Sequence, residues 1–265
     1  MEAKGKNNHD IWRGSVVFLT LTVLFMAAVI WNINTGSVHI SVSEIAGIIW
    51  KRDQTNQVAY NVIWKIRLPR LLLASVLGGA LSLSGFLIQT FFRNPIAGPF
   101  VLGISSGAKM FLAFVTIAMN GVFGVMPVSV TVAAAFAGSM FSLLIVLLFT
   151  GRVKNMSMLL VIGIMISYIC TAVTDLLINF ANESEIVNLT NWSLGSFSAA
   201  TWTNVKISAG IVFPALLFAF LLSKPMAAYA LGEGYAQSLG VNIRLFRVLL
   251  VILTGILSAS VAAFA

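Results

Sequence analysis

Residues 67–108 read RLPRLLLASVLGGALSLSGFLIQTFFRNPIAGPFVLGISSGA, and this stretch decides the fold. From Leu71 to Phe92 no residue is charged. Pro69 sits where a first helical turn tolerates proline, because the N–H there has no intrahelical partner. Arg93-Asn94-Pro95 closes the run, since proline halts a helix and asparagine can cap the next segment. A second apolar run then begins, with Gly103 and Gly107 in GxxxG spacing. A bilayer core of about 30 Å needs around 20 apolar residues per helix, so the stretch predicts two transmembrane helices joined by a tight turn. Ala74, Gly78, Ser82 and Gly85 stripe one side of the first helix. Small residues let helix backbones approach where lipid supplies no hydrophobic drive, so Gly78, Gly85, Gly103 and Gly107 are expected at packed interfaces.

The rest of the chain has the same character. Hydrophobic residues make up 59%, charged residues 9%, and mean hydropathy is +0.98. Soluble domains carry roughly 25% charged residues, so the surplus apolar surface requires lipid as solvent. The net charge of +8 does not indicate nucleic acid, because the basic residues are scattered between apolar runs rather than gathered on one face. Cys170 is the single cysteine, which excludes an internal disulfide or a CxxC site. His9 and His39 have no ligand-spaced partner, so no metal site is expected. There is no phosphate-binding glycine loop, no HExxH and no Ser–His–Asp set, so no catalytic residue and no enzyme activity are expected.

Seven runs satisfy the bilayer ruler: 15–33, 69–91, 101–119, 128–150, 156–180, 203–223 and 248–265. Each must close its own backbone hydrogen bonds in lipid, and none alternates like a barrel strand, so the fold class is an all-α polytopic transmembrane bundle. The run 15–33 comes after Lys4, Lys6 and Arg13 as in a signal peptide, yet it is long enough to span and no cleavage pattern succeeds it, so an uncleaved span is expected. A cytoplasmic N-terminus places Lys4, Lys6, Arg13, Arg93, Arg152, Lys154, Lys224, Arg244 and Arg247 inside. Lys51, Arg52, Lys65, Arg67, Arg70 and Lys206 then lie outside, nine against six in the expected direction. Five of the six outer positives crowd into the loop 34–68 and its edge. Lys109 and Asp175 fall inside spans; Lys109 snorkels to an edge, while Asp175 either lines a pathway or pairs with a neighbouring helix. Asn182, Asn188 and Asn191 head glycosylation-like triplets, a pattern frequent by chance.

The ordered pieces RLPR (67–70), SG (84–85), LIQ (87–89), RNPIAGP (93–99) and LGISSGA (102–108) resemble the FecCD family of ABC importer permeases for ferric siderophores, haem and cobalamin. WSLGS (192–196) and LGEGYAQSLGVNIRLFR (231–247) agree with it. The resemblance implies the type II, cobalamin-permease-like fold and a single transmembrane permease domain over 1–265. It also implies a second permease subunit, identical or homologous, two cytoplasmic ATPase subunits and an extracytoplasmic substrate-binding protein. ATP and magnesium would bind the ATPase, with no cofactor on this chain. In the family the RLPR arginines pair with carboxylates of the binding protein, so Arg67 and Arg70 are expected to dock it; interfacial snorkelling is the alternative. The segment 224–247 is expected to couple to the ATPase through Leu231, Gly232, Tyr235, Ala236, Leu239, Gly240 and Val241, on short helices broken at Gly232, Gly234 and Gly240; a plain interfacial loop is the alternative. The family has more spans, about ten against the seven found here, and the last run ends at Ala265 without a polar flank, so a shortened product is expected. Two rival readings stand beside the importer: an ion-coupled secondary transporter, and a non-transporting remnant of the permease.

Overall fold

A computed structural model describes residues 2–36, 38–119, 126–150, 152–153 and 156–265. Lys154 lies outside them, and the side chains of Lys4, Lys6 and His9 are likewise not described. The described chain is helical: α1 (Glu2–Asn34), α2 (Val42–Lys51), α3 (Gln57–Asn61), a π-wound turn (Val62–Arg67), α4 (Leu68–Phe92), a 3₁₀ turn (Pro99–Leu102), α5 (Ile104–Ala118) and α6 (Val128–Thr150). Next come α7 (Met156–Ile178), α8 (Glu183–Leu194), α9 (Trp202–Leu221), α10 (Ser223–Leu231), α11 (Glu233–Ser238) and α12 (Ile243–Phe264). Where one domain was expected, the chain divides into two compact units, residues 1–72 and 73–265.

Among the described residues, six helical segments are long and apolar enough to cross a membrane: 12–34, 57–92, 128–150, 158–178, 202–221 and 243–264. The seventh expected span, 101–119, is split, because Gly103 at φ +78° separates the 3₁₀ turn from the 15-residue α5. By helical rise α5 alone extends about 22 Å. The last span starts at Ile243 rather than 248, because Asn242 caps it by accepting from the Leu245 N–H at 3.1 Å. The region 34–68 is not a plain loop. It folds into α2, α3 and the π-wound turn, with Ser41 and Asn56 as N-caps.

In the first unit, α1 exposes its apolar side chains along its length from Trp12, and the Thr20 and Thr22 hydroxyls return to the Val16 and Phe18 carbonyls at 2.8 Å. Such local bonding removes polar groups from lipid. A small core of Ile40, Ile45, Ile48, Ala59 and Ile63 holds α2 to α3. Thr55 gives Asp53 both its hydroxyl and its amide, which hold that exposed carboxyl below the usual range.

In the second unit the helices meet through small residues. A Cβ on Gly107 would collide with Ser142 and the Gly138 carbonyl, and one on Gly138 with the Gly107 carbonyl, so α5 and α6 touch backbone to backbone. Gly163 of α7 admits the Val101 carbonyl in the same way, and Gly255 of α12 admits Leu143. Hydroxyls tie these crossings: Ser139 donates to the Ile104 carbonyl at 3.2 Å, and Ser84 shares a 2.7 Å bond with Ser258. The packing expected of Gly78 and Gly85 is corrected, since a Cβ on either meets nothing within 4 Å. From Leu73 onward, α4 buries instead the side carrying Leu73, Leu77, Ala80, Ser84, Leu87, Ile88 and Phe91.

Candidate coupling and docking site

α4 ends in a Schellman turn: the Arg93 N–H bonds to the Thr90 carbonyl at 3.3 Å and the Asn94 N–H to the Gln89 carbonyl at 3.1 Å. The residue that turns the chain is in the left-handed region at φ +50°, where glycine is usual, yet it is Arg93. That conformation costs an L-residue about 1–2 kcal/mol. The Asn94 side chain accepts from the Ile96 N–H at 2.9 Å, which fixes the turn around Pro95.

The side chain explains the residue. The Arg93 guanidinium donates to the Tyr229 carbonyl of α10 at 2.7 Å and lies 5.4 Å from the centre of the Tyr229 ring. That ring is buried, stacked on Phe91 at 6.1 Å and tilted against Phe246 of α12 at 5.2 Å. Arg247, in the second turn of α12, pairs with Glu233 at the head of α11, donates to the Val153 carbonyl at 3.4 Å and brings its charge to bear on the Tyr229 phenol. Burial pushes that phenol above the ordinary tyrosine range, and the Glu233 carboxylate adds to the shift; Arg247 and Arg93 act against it. One cluster thus fastens the ends of α4, α10, α11 and α12 together.

From this base α10 and α11 present apolar side chains outward. Leu231 is 74% exposed, Tyr235 51% and Leu239 59%. Ala236 is fully buried and Val241 half-buried, so those two face the bundle. The chain bends at Gly232, φ +143°, and at Gly240, φ +83°, two backbone states that side chains disfavour. The break expected at Gly234 is absent, because that residue lies within α11.

In the first unit, Arg67 is 7% exposed, with Nη1 bonded to the Ile33 carbonyl at 2.5 Å and Nη2 to the Val38 carbonyl at 2.7 Å. These carbonyls flank the end of α1, and the guanidinium fork clamps the turn leading to α2. A Cβ on Gly36 would run into it. The expectation that Arg67 meets a partner's carboxylate is therefore corrected: its donors are directed at the chain's own backbone. Arg70 is half-buried and lines a pocket of about 230 Å³ with Asn32, Thr35 and Arg67. Asp175 is exposed on the outer side of α7, its carbonyl accepting from the Asn179 side chain at 2.9 Å. Asn182, which heads one of the glycosylation-like triplets, is the N-cap of α8.

Sequence reasoning missed the roles of Tyr229, Glu233 and Arg247, and read Arg93 as a turn residue alone. One signal was present: arginine stands where a helix stop ordinarily carries glycine.

Membrane-length helices tied to short helices that hold apolar side chains outward define a polytopic α-helical membrane protein. The haemin transport system permease protein HmuU of Yersinia pestis is 30% identical over 244 residues, 92% of this chain and 72% of that protein. The vitamin B12 import system permease protein BtuC of Serratia proteamaculans is 28% identical, covering 89% of this chain and 67% of that protein. The BtuC of Klebsiella pneumoniae is 35% identical over 193 residues, and the match covers 57% of it. A solved ABC transporter assigned to the metal-chelate type, in an inward-facing conformation, superposes with a TM-score of 0.81 at 25% identity, over 94% of this chain and 76% of that one. The chain belongs to the FecCD transport family, which it matches over residues 24–265. It is a multi-pass inner-membrane permease subunit of an ABC importer, and not itself an enzyme.

Proposed function

We propose that this permease carries an iron complex, a ferric siderophore or haem, or the related chelate cobalamin, into the cytoplasm with its N-terminus inside. It works with a second permease subunit, two ATPase subunits engaging α10 and α11, and an extracytoplasmic binding protein reached by Arg70. The observation that carries the coupling part is the row Leu231, Tyr235 and Leu239, exposed on helices too short to span yet anchored by a buried aromatic cluster. Apolar side chains held outward on a rigid base suit insertion into a groove of a partner. Transport is then gating: ATP shifts the bundle between two states according to its affinity for each. The cargo proposal draws on the relatives named for haemin and vitamin B12.

The test is uptake of radiolabelled ferric hydroxamate, haem and cobalamin in a permease-deleted strain carrying this chain and its partner genes. Uptake of one of the three supports the reading. Absence of uptake, with no ATPase subunit recovered on the purified permease, refutes it.

A further inference from the structure

We infer that Arg93 is a transmission residue, the link by which movement of α10 reaches α4. The inference rests on the proposed contact between α10–α11 and the ATPase. α9 and α12 are joined to the coupling helices through the chain itself, at Ser223 and at Asn242. α4 lies far from them in sequence and meets them through Tyr229, whose carbonyl is held by Arg93 and whose ring is flanked by Arg93 and Phe91. The backbone argues against a merely local role. A Schellman turn needs only a residue at ease in the left-handed region, and glycine meets that need without strain. The strain at Arg93 persists alongside a guanidinium that bridges 136 positions of sequence. An outlier of this kind points to function rather than to the turn.

The link has two points of attachment. The guanidinium makes a hydrogen bond to the Tyr229 main chain and a cation–π contact with its ring, so a shift of α10 draws on the end of α4. At the head of α11, Arg247 and Glu233 form a parallel tie to α12. The exposed stripe of α4, with Gly78 and Ser82, would then report movement that begins at the coupling helices.

The experiment uses the assembled transporter, permease with ATPase and binding protein, in proteoliposomes. Ser82→Cys places a label on that stripe, and the native Cys170 is buried and stays silent. In the parent, ATP is expected to change the labelling rate at position 82 several-fold. Arg93→Gly relaxes the turn and removes the guanidinium, so in a transporter that still assembles with its ATPase the ATP-dependent change at position 82 should be lost. Arg93→Lys, which keeps a cation over the ring, should restore part of it. An Arg93→Gly transporter that keeps the full ATP-dependent change overturns the inference. Should the glycine variant fail to assemble, Arg93→Gln decides by the same readout: a retained change overturns the inference and a lost one supports it. If the parent itself recovers no ATPase subunit, the coupling reading falls, and this inference with it.

Discussion

Gly107 of α5 and Gly138 of α6 meet with their backbones in contact, each filling the space where the other would carry a Cβ. A methyl group there has no flexible neighbour to displace, because the obstacle on Gly138 is the Gly107 carbonyl. Gly138→Ala should therefore cost about 1–3 kcal/mol through overpacking. Gly78→Ala and Gly85→Ala meet open space and should cost nothing. Thermal unfolding of the detergent-solubilised permease checks the contrast: a lowered midpoint for Gly138→Ala alone.

Arg67 and Arg70 should separate by phenotype. Arg67→Lys keeps the charge and loses the fork that spans two carbonyls, leaving at least one buried carbonyl without its donor. A hydrogen bond to a charged group contributes about 1.5–3 kcal/mol, so the turn after α1 should open locally and be cut faster by protease at residues 34–41. Arg70→Gln should weaken capture of the binding protein, measured as a raised Kd that depends on salt.

Much of this architecture was legible in the residues. Uncharged runs of bilayer length leave little choice but helices, which is why the span 128–150 coincides with α6. The boundaries that moved were set by single side chains: Asn242 starts α12 early, and Gly103 divides the third span. Which face of a helix packs was not legible where small residues occur on more than one side, as on α4, because a stripe of glycine shows permission to pack and not a partner. The Arg93–Tyr229 link was hidden for a different reason: it joins positions 136 apart, and neither carries a local pattern that names the other.

Leu231, Tyr235 and Leu239 should behave as a binding surface and Ala236 as core. Alanine at any of the three exposed positions should leave the melting midpoint unchanged, since each side chain is more than half exposed. If they insert into an ATPase groove, truncation should cost about 1–3 kcal/mol of affinity, roughly fivefold to 150-fold in Kd. Ala236→Leu should do the reverse and lower the midpoint, because that site is fully enclosed. Affinity of the purified permease for the ATPase, read beside thermal unfolding, separates the two classes.

Tyr229 supplies a test that depends on charge alone. Its phenol is raised first by burial and then by the Glu233 carboxylate. A raised folded value means that the neutral phenol is the form the fold prefers. Its contribution to stability is thus complete below the unfolded tyrosine pKa of about 10 and is lost as pH climbs through the folded value. Glu233→Gln removes a negative charge and leaves Arg247 without its ion-pair partner, and both changes favour the phenolate. The phenol should therefore ionise at lower pH in Glu233→Gln than in the parent, and the alkaline loss of stability should shrink. The measurement is the ultraviolet phenolate titration, with Tyr229→Phe subtracted to remove the other tyrosines. A titration that moves to higher pH in Glu233→Gln would mean that the carboxylate does not face the ring, and the cluster joining α10, α11 and α12 would have to be redrawn.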